Sequence, residues 1–129
     1  MNIITVKNYE EMSKMAAHIL AAQVIAKPDS VLGLATGSTP IGIYDCLAEW
    51  NGEVDFSKAA TVNLDEYRGL DHSNDQSYYY FMNKHLFSRI NIDPSRTNVP
   101  DGTEPDPEKE SKRYEALIQE LGGIDIQLL

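Results

Sequence analysis

Val31-Leu32-Gly33-Leu34-Ala35-Thr36-Gly37-Ser38-Thr39-Pro40 (VLGLATGSTP) is the stretch whose reading decides the fold. Val31–Ala35 is a continuous apolar run, the pattern of a strand buried on both faces of a helix-covered parallel sheet. The run stops at Thr36. Pro40 sits where a first-turn proline opens a helix, and Thr39 is the expected N-cap. Ile41, Tyr44, Leu47 and Ala48 then recur at helical spacing. The segment therefore reads as a strand, a turn of glycine and hydroxyl residues, and the start of a helix.

The same alternation extends in both directions. Upstream, Asn2–Val6 (NIITV) is short and β-branched and reads as a strand. Asn8 and Glu11 have the spacing of a capping box. Met12, Met15, Ala16, Ile19 and Leu20 follow as the apolar face of a first helix, which Pro28 and Asp29 close. Downstream, Thr61–Leu64 (TVNL) reads as a strand, and Arg68–Gln76 is polar. A helix is expected from about Ser77, with Phe81, Met82 and His85 inward. Asn91–Asp106 reads as mostly loop. Pro107 opens a last helix through Leu121, ended by Gly122–Gly123. Ile124–Leu129 (IDIQLL) starts a further strand.

The expected fold is α/β: a three-layer, mainly parallel Rossmann-like sheet with helices on both faces. It is expected to be incomplete at the C-terminus, because no loop follows the strand at Ile124–Leu129. Residues 1–129 are accordingly read as the N-terminal part of a single domain.

Composition narrows the function. Eleven Lys and Arg against twenty Asp and Glu give a formal net charge of −9. That charge argues against counterion-releasing contact with nucleic acid and against anionic membranes. It leaves an anionic small ligand possible, since salt screens exposed charges beyond about 8 Å and a local donor cluster acts on its own. The single Cys46 allows neither an internal disulfide nor a cysteine zinc cluster. His18, His72 and His85 show no metal-ligand spacing with each other or with a cysteine. The start lacks a signal-peptide core and no apolar run approaches a membrane span, so a cytoplasmic setting is the default expectation.

In open parallel sheets ligands bind beyond the carboxyl ends of the strands. Two segments lie there. In Thr36–Pro40, Gly37 permits torsions and close approaches that a side chain blocks. The hydroxyls and the N–H groups of the following helix could cradle a phosphate. The plainer reading is a capped strand–helix turn with no ligand. In Asp65–Tyr67, two carboxylates follow a strand directly, and Asp65 is placed to act as a general base if burial tunes it. The plainer reading has Asp65 capping a turn and Glu66 pairing on the surface. Ser77–Phe81 (SYYYF) adds an aromatic cluster, of which one ring could cover a sugar or donate its hydroxyl. Trp50 and the acidic segment Glu104–Glu110 read as packing and solvated surface.

LGLATGSTPIGIYDCL resembles the phosphate-loop segment of the glucosamine-6-phosphate deaminases. NLDEYRGL followed by NDQSYYYFM resembles their catalytic strand end and the start of their lid. GGIDIQLL resembles the strand that leads to their second catalytic motif. The TGSTP turn alone is shared with the related 6-phosphogluconolactonases. The resemblance implies conversion of glucosamine 6-phosphate and water to fructose 6-phosphate and ammonia, within amino-sugar catabolism, with no cofactor and no metal. It implies Asp65 as the base moving a proton between C2 and C1. It implies Thr36, Gly37, Ser38 and Thr39 as the phosphate-holding loop and Tyr78 as a lid tyrosine near the substrate. The partner implied is a small sugar phosphate, with a homo-oligomer possible.

The family's ring-opening residues and basic phosphate ligands follow the strand that ends here at Leu129. The 129 residues alone are therefore expected to be inactive and prone to association. Two other readings stand beside this one: a 6-phosphogluconolactonase-like hydrolase, and a non-catalytic sugar-phosphate sensor.

Overall fold

The computed structural model describes residues 1–129. In chain order the elements are α1 (Tyr9–Ala26), β1 (Val31–Leu34), α2 (Ile41–Glu49), β2 (Ala60–Asn63), α3 (Tyr78–His85), β3 (Thr97–Asn98), α4 (Pro107–Glu120) and β4 (Ile126–Gln127). The four strands form one all-parallel sheet in the order β3-β2-β1-β4.

Strand alternation divides the core into two layers. Leu32 and Leu34 join Ala17, Leu20, Ala21 and Val24 of α1, Ile43, Tyr44 and Leu47 of α2, and Met82 of α3. Val31, Ala60 and Val62 pack instead with Tyr114 of α4, with Leu117, Ile118 and Leu121 against them. Helices thus cover both faces, and the expected α/β architecture is what the chain adopts. No helix is long and apolar enough to cross a membrane.

Local chemistry explains where the helices begin and end. The Asn8 side chain accepts from the Glu11 N–H at 2.9 Å, capping α1. Ser77 accepts from the Tyr80 N–H at 3.0 Å and caps α3. Asp106 accepts from Glu108 and Lys109 at the start of α4, and Pro107 supplies its first turn without needing an N–H. At the other end of α4, Gly122 and Gly123 accept the positive φ that stops it.

Several elements differ from the sequence expectation. Asn2–Val6 forms no strand, and Ile3 and Ile4 lie exposed. A β-branched run favours extended backbone, but composition alone does not dock it on the sheet, and Asn2–Val6 pairs with none of the four strands. The buried face of α1 is Ser13, Ala17, Leu20, Ala21 and Val24, whereas Met15 and Ile19 are exposed. Where α2 comes closest, at Gly42, the small Ser13 takes the inner position. Thr39 does not cap α2; Pro40 occupies the cap position, with no side-chain cap.

Strand lengths differ as well. Leu64 falls outside β2 and is exposed. The pairing of Ile124–Leu129 narrows to β4, flanked by the Asp125 N–H donating to Val31 and the Leu128 N–H donating to Gly33, both at 2.9 Å. The stretch read as loop contains β3, whose two residues are too few to leave a periodic signal. Glu110 is not solvated surface. It is buried, accepts from the Asp101 N–H at 2.8 Å and binds Arg113 through two hydrogen bonds.

Candidate functional site

Register brings the two motifs together. β1 and β2 are parallel neighbours, with Leu34 opposite Asn63. Both strands therefore end at one level, and Thr36 and Asp65 leave the sheet on adjacent strands, about 4.8 Å apart in the pairing direction. A cavity of about 250 Å³ opens at this end, lined by Leu34, Ala35, Thr36, Leu64, Asp65, Gln127 of β4 and Leu128 and Leu129 after it. An adjoining cavity of about 210 Å³ shares Ala35 and Thr36 with it and reaches Thr39 and Pro40. Of the residues singled out in the sequence, Thr36, Thr39 and Asp65 line this cleft.

The loop after β1 is held from two sides. Tyr44, fully buried in α2, donates its hydroxyl to the Ala35 carbonyl and accepts from the Ala35 N–H at 3.2 Å. Burial keeps the Tyr44 phenol protonated, its pKa pushed well up by desolvation, with the Ala35 hydrogen bond pulling the other way. Tyr9, arriving from α1, places its hydroxyl 2.9 Å from the Thr39 carbonyl and 3.1 Å from that of Ser38. Gly37 has φ +102°, in the region only glycine enters freely, and no atom lies within contact of where a Cβ would be. Its requirement is torsional, a reversal of the chain that sends Ser38 and Thr39 back toward α2. Gly37, Ser38 and Thr39 are exposed.

The strand end after β2 is organised by Glu66. Its carboxylate accepts from the N–H groups of Tyr78 at 2.8 Å and Tyr79 at 3.0 Å, the first two residues of α3. The surface ion pair expected of Glu66 is replaced by a strap between the β2 end and the helix that carries Tyr78. These donors are the ones a helix cannot satisfy internally, and they carry the positive end of its dipole.

The strap puts Tyr78 beside the other site residues. Its ring lies 4.6 Å from that of Tyr67. The Tyr67 hydroxyl raises the Tyr78 phenol above its ordinary value; desolvation and the charges of Tyr67 and Asp65 add to this, while the Thr36 hydroxyl opposes it. Tyr78 is therefore the side chain whose surroundings include both motifs. Asp65 itself is exposed, so these residues do not supply the burial that the sequence reading asked of a base.

The other candidates sit elsewhere. His72 stacks on Tyr79, while His18 packs at a tilt against Trp50 and His85 against Phe81. None lines the cleft. Cys46 is free and half-buried in α2, its thiol pushed up by desolvation, which disfavours the thiolate. A larger depression of about 350 Å³ borders Asp65 on its other side, but Glu66, Asp101, Glu104, Glu110 and Glu115 line it against a single Arg68. Its charge repels a phosphate.

Tyr9 stands outside the motifs, Tyr44 reads in the sequence only as part of an apolar helix face, Tyr67 only as the end of the acidic segment, and Glu66 as a surface ion-pair partner rather than a helix cap. Tyr9 and Tyr44 act through hydroxyls that reach distant backbone, and no local spacing marks that. The run of α3-start tyrosines after a carboxylate pair was the one signal that could have pointed to the Glu66 strap.

Residues 7–129 match the family described as glucosamine-6-phosphate isomerases/6-phosphogluconolactonase. Two relatives are glucosamine-6-phosphate deaminases, from Lachnoclostridium phytofermentans at 56% identity and from Halothermothrix orenii at 54%. Each alignment covers 100% of this chain but only 56% and 54% of those proteins, so the chain spans about half their length. The solved structure of a monomeric glucosamine-6-phosphate deaminase superposes with a TM-score of 0.97 at 45% identity, over 100% of this chain and 54% of that one. A 6-phosphogluconolactonase from Thermotoga maritima superposes at 0.72 with 24% identity, over 92% of this chain and 53% of that one, which shows a shared fold. The family model matches residues 7–129, nearly the whole chain, and the chain belongs to the glucosamine-6-phosphate isomerase/6-phosphogluconolactonase family.

Proposed function

We propose that the protein carrying these residues is a glucosamine-6-phosphate deaminase: it converts glucosamine 6-phosphate and water to fructose 6-phosphate and ammonia. The observation that carries this reading is the β1–β2 register, which sets a hydroxyl-rich turn and an acidic strand end on one cleft. Identity above 50% to deaminases along the whole chain supports the same choice.

In this reading the Thr36–Thr39 turn and the start of α2 take the 6-phosphate. Backbone N–H groups and hydroxyls donate to the phosphate oxygens, and the helix dipole favours the anion. The sugar then extends toward Asp65, with Tyr78 alongside. In the open-chain form Asp65 removes the proton at C2 and returns it at C1. Loss of the C2 proton forms a C1=C2 bond as the C1 carbonyl oxygen takes up the proton that the C2 ammonium gives up. The nitrogen lone pair then forms C2=N as C1 takes the proton back from Asp65, leaving an imine at C2. Water adds to that imine and ammonia leaves, so the net reaction consumes one water.

The cleft lining contains no histidine and no cationic side chain. Ring opening needs a proton donor and acceptor, and a dianionic phosphate gains most from a cation. Both are assigned in this reading to the portion of the deaminase relatives that lies beyond the match. Residues 1–129 by themselves are accordingly proposed to be inactive, and a cytoplasmic setting belongs to the same reading.

The test is Asp65→Asn in the complete protein, which keeps shape and removes the base. Turnover is expected to fall about 10²–10⁴-fold, the range for a positioned general base, with KM nearly kept. Exchange of the C2 proton with solvent should disappear along with ammonia release. Exchange persisting at the normal rate would assign the base to another residue.

A further inference from the structure

Tyr9 lies at the start of α1, yet its hydroxyl meets three backbone groups of the turn that follows β1. It accepts from the Gly42 N–H at 2.9 Å and stands 2.9 Å from the Thr39 carbonyl and 3.1 Å from the Ser38 carbonyl. A phenol has one donor and lone pairs to accept with, so these three contacts use what the hydroxyl has. We infer that Tyr9 is a positioning residue for phosphate binding, holding the Ser38–Thr39 backbone so that its N–H side faces the ligand. The inference rests on reading that turn as the phosphate site.

Peptide geometry gives the mechanism. In a trans peptide the carbonyl and the following N–H point to opposite sides, and the chain has no cis bond. Drawing the Ser38 carbonyl toward α1 therefore turns the Thr39 N–H the other way. The Thr39 carbonyl, also drawn toward Tyr9, precedes Pro40, which has no N–H to present. Two oxygens that would repel a phosphate are thus turned from the turn's open side and hydrogen-bonded. Tyr9 also does the work of the missing cap on α2. Pro40 holds the cap position without a side-chain hydrogen bond, and the Gly42 N–H, which a Ser or Asp cap would serve, is met by Tyr9.

The approach is close enough to dictate a second residue. A Cβ at Gly42 would lie 2.4 Å from the Ser13 Oγ and 2.9 Å from the Tyr9 Cε1. Glycine at position 42 is what lets α1 and the Tyr9 ring reach the turn. The ring itself is about half exposed, at 51%, and lines neither cavity of the cleft, so Tyr9 acts on the turn from outside.

The experiment compares three forms of the complete protein: wild type, Tyr9→Phe, and Ser38→Ala combined with Thr39→Ala. Each is assayed for kcat and KM with glucosamine 6-phosphate and for competitive inhibition by inorganic phosphate. Tyr9→Phe keeps the ring and its packing and loses the hydroxyl. Its KM and its phosphate inhibition constant should both rise about three- to tenfold, as for loss of a hydrogen bond or two, with kcat changed less than twofold. Gly42→Ala, which displaces the ring, should shift both constants in the same direction.

The outcomes separate the two ideas. If the Ser38/Thr39 variant raises both constants and Tyr9→Phe raises neither, Tyr9 has no positioning role and the phosphate reading stands. A fall in kcat alone in Tyr9→Phe overturns the inference as well. If the Ser38/Thr39 variant itself leaves both constants unchanged, the turn is not the phosphate site, and both ideas fall.

Discussion

Replacing Glu66 should loosen the start of α3 and with it the placement of Tyr78. The carboxylate accepts two hydrogen bonds from the first turn of that helix, at 2.8 and 3.0 Å. Glu66 is half-buried, so the full value of a charged hydrogen bond does not apply; the cost of losing a helix N-cap, about 1–2 kcal/mol, is the better scale. Glu66→Gln keeps one acceptor oxygen and loses the charge, a cost of about 1 kcal/mol. Glu66→Ala loses everything, about 2 kcal/mol. At about 1.4 kcal/mol per factor of ten, these correspond to roughly fivefold and thirtyfold losses of the strapped arrangement.

The assay is backbone amide exchange resolved at Tyr78 and Tyr79, run beside kcat/KM in the complete protein. Both amides should exchange faster by about those factors, and kcat/KM should fall in the same order, Ala below Gln. Tyr80, whose N–H is held by the Ser77 hydroxyl, should change less. Unchanged exchange at Tyr78 and Tyr79 in Glu66→Ala, with normal kcat/KM, would reduce Glu66 to a surface carboxylate and refute the strap.

Two further expectations concern the scaffold. The Tyr114 hydroxyl donates at the ends of two strands, 2.6 Å from the Asn63 carbonyl and 2.9 Å from the Asn98 carbonyl. Tyr114→Phe strands both acceptors in a buried place and should cost about 1–3 kcal/mol in a urea melt; a loss below a few tenths would mean water replaces the hydroxyl. Glu110 is held below the ordinary carboxylate value of 4.5, chiefly by Arg113, with the Asp101 N–H adding to it. Its folded value lies below its unfolded one, so its contribution is complete above about pH 4.5 and is lost as pH falls through the folded value. The urea midpoint should therefore drop more steeply below pH 4.5 in wild type than in Glu110→Gln, and parallel pH profiles would contradict the assignment.

The parts of this fold legible in the sequence were those with a local cause. Val31–Leu34 is buried along its length, and an unbroken apolar run is the trace such a strand leaves. Asn8, Ser77 and Gly122 act on residues three or four positions away, within reach of a spacing rule. What escaped was decided across the fold. Ile3 and Ile4 have the composition of a strand but join no strand of the sheet. Met15 and Ile19 have helical spacing, yet Ser13 and Ala17 take the inner face, with Ser13 where α2 comes closest, at Gly42.

The site divides in the same way. Thr36–Thr39 and Asp65 were visible because strand ends announce themselves by a change of residue type. Their juxtaposition on one cleft follows from the Leu34–Asn63 register, which no single segment encodes. Tyr9 reaches its partners across 29 to 33 positions and Glu66 across 12 and 13, distances at which a motif carries no information.

The most direct test of the proposed activity is a side-by-side assay of the complete protein with glucosamine 6-phosphate and with 6-phosphogluconolactone. The account predicts stoichiometric ammonia and fructose 6-phosphate from the first, and no lactone hydrolysis above the spontaneous rate from the second. Lactone hydrolysis without ammonia release, or tight binding of glucosamine 6-phosphate with no product from either substrate, would contradict it.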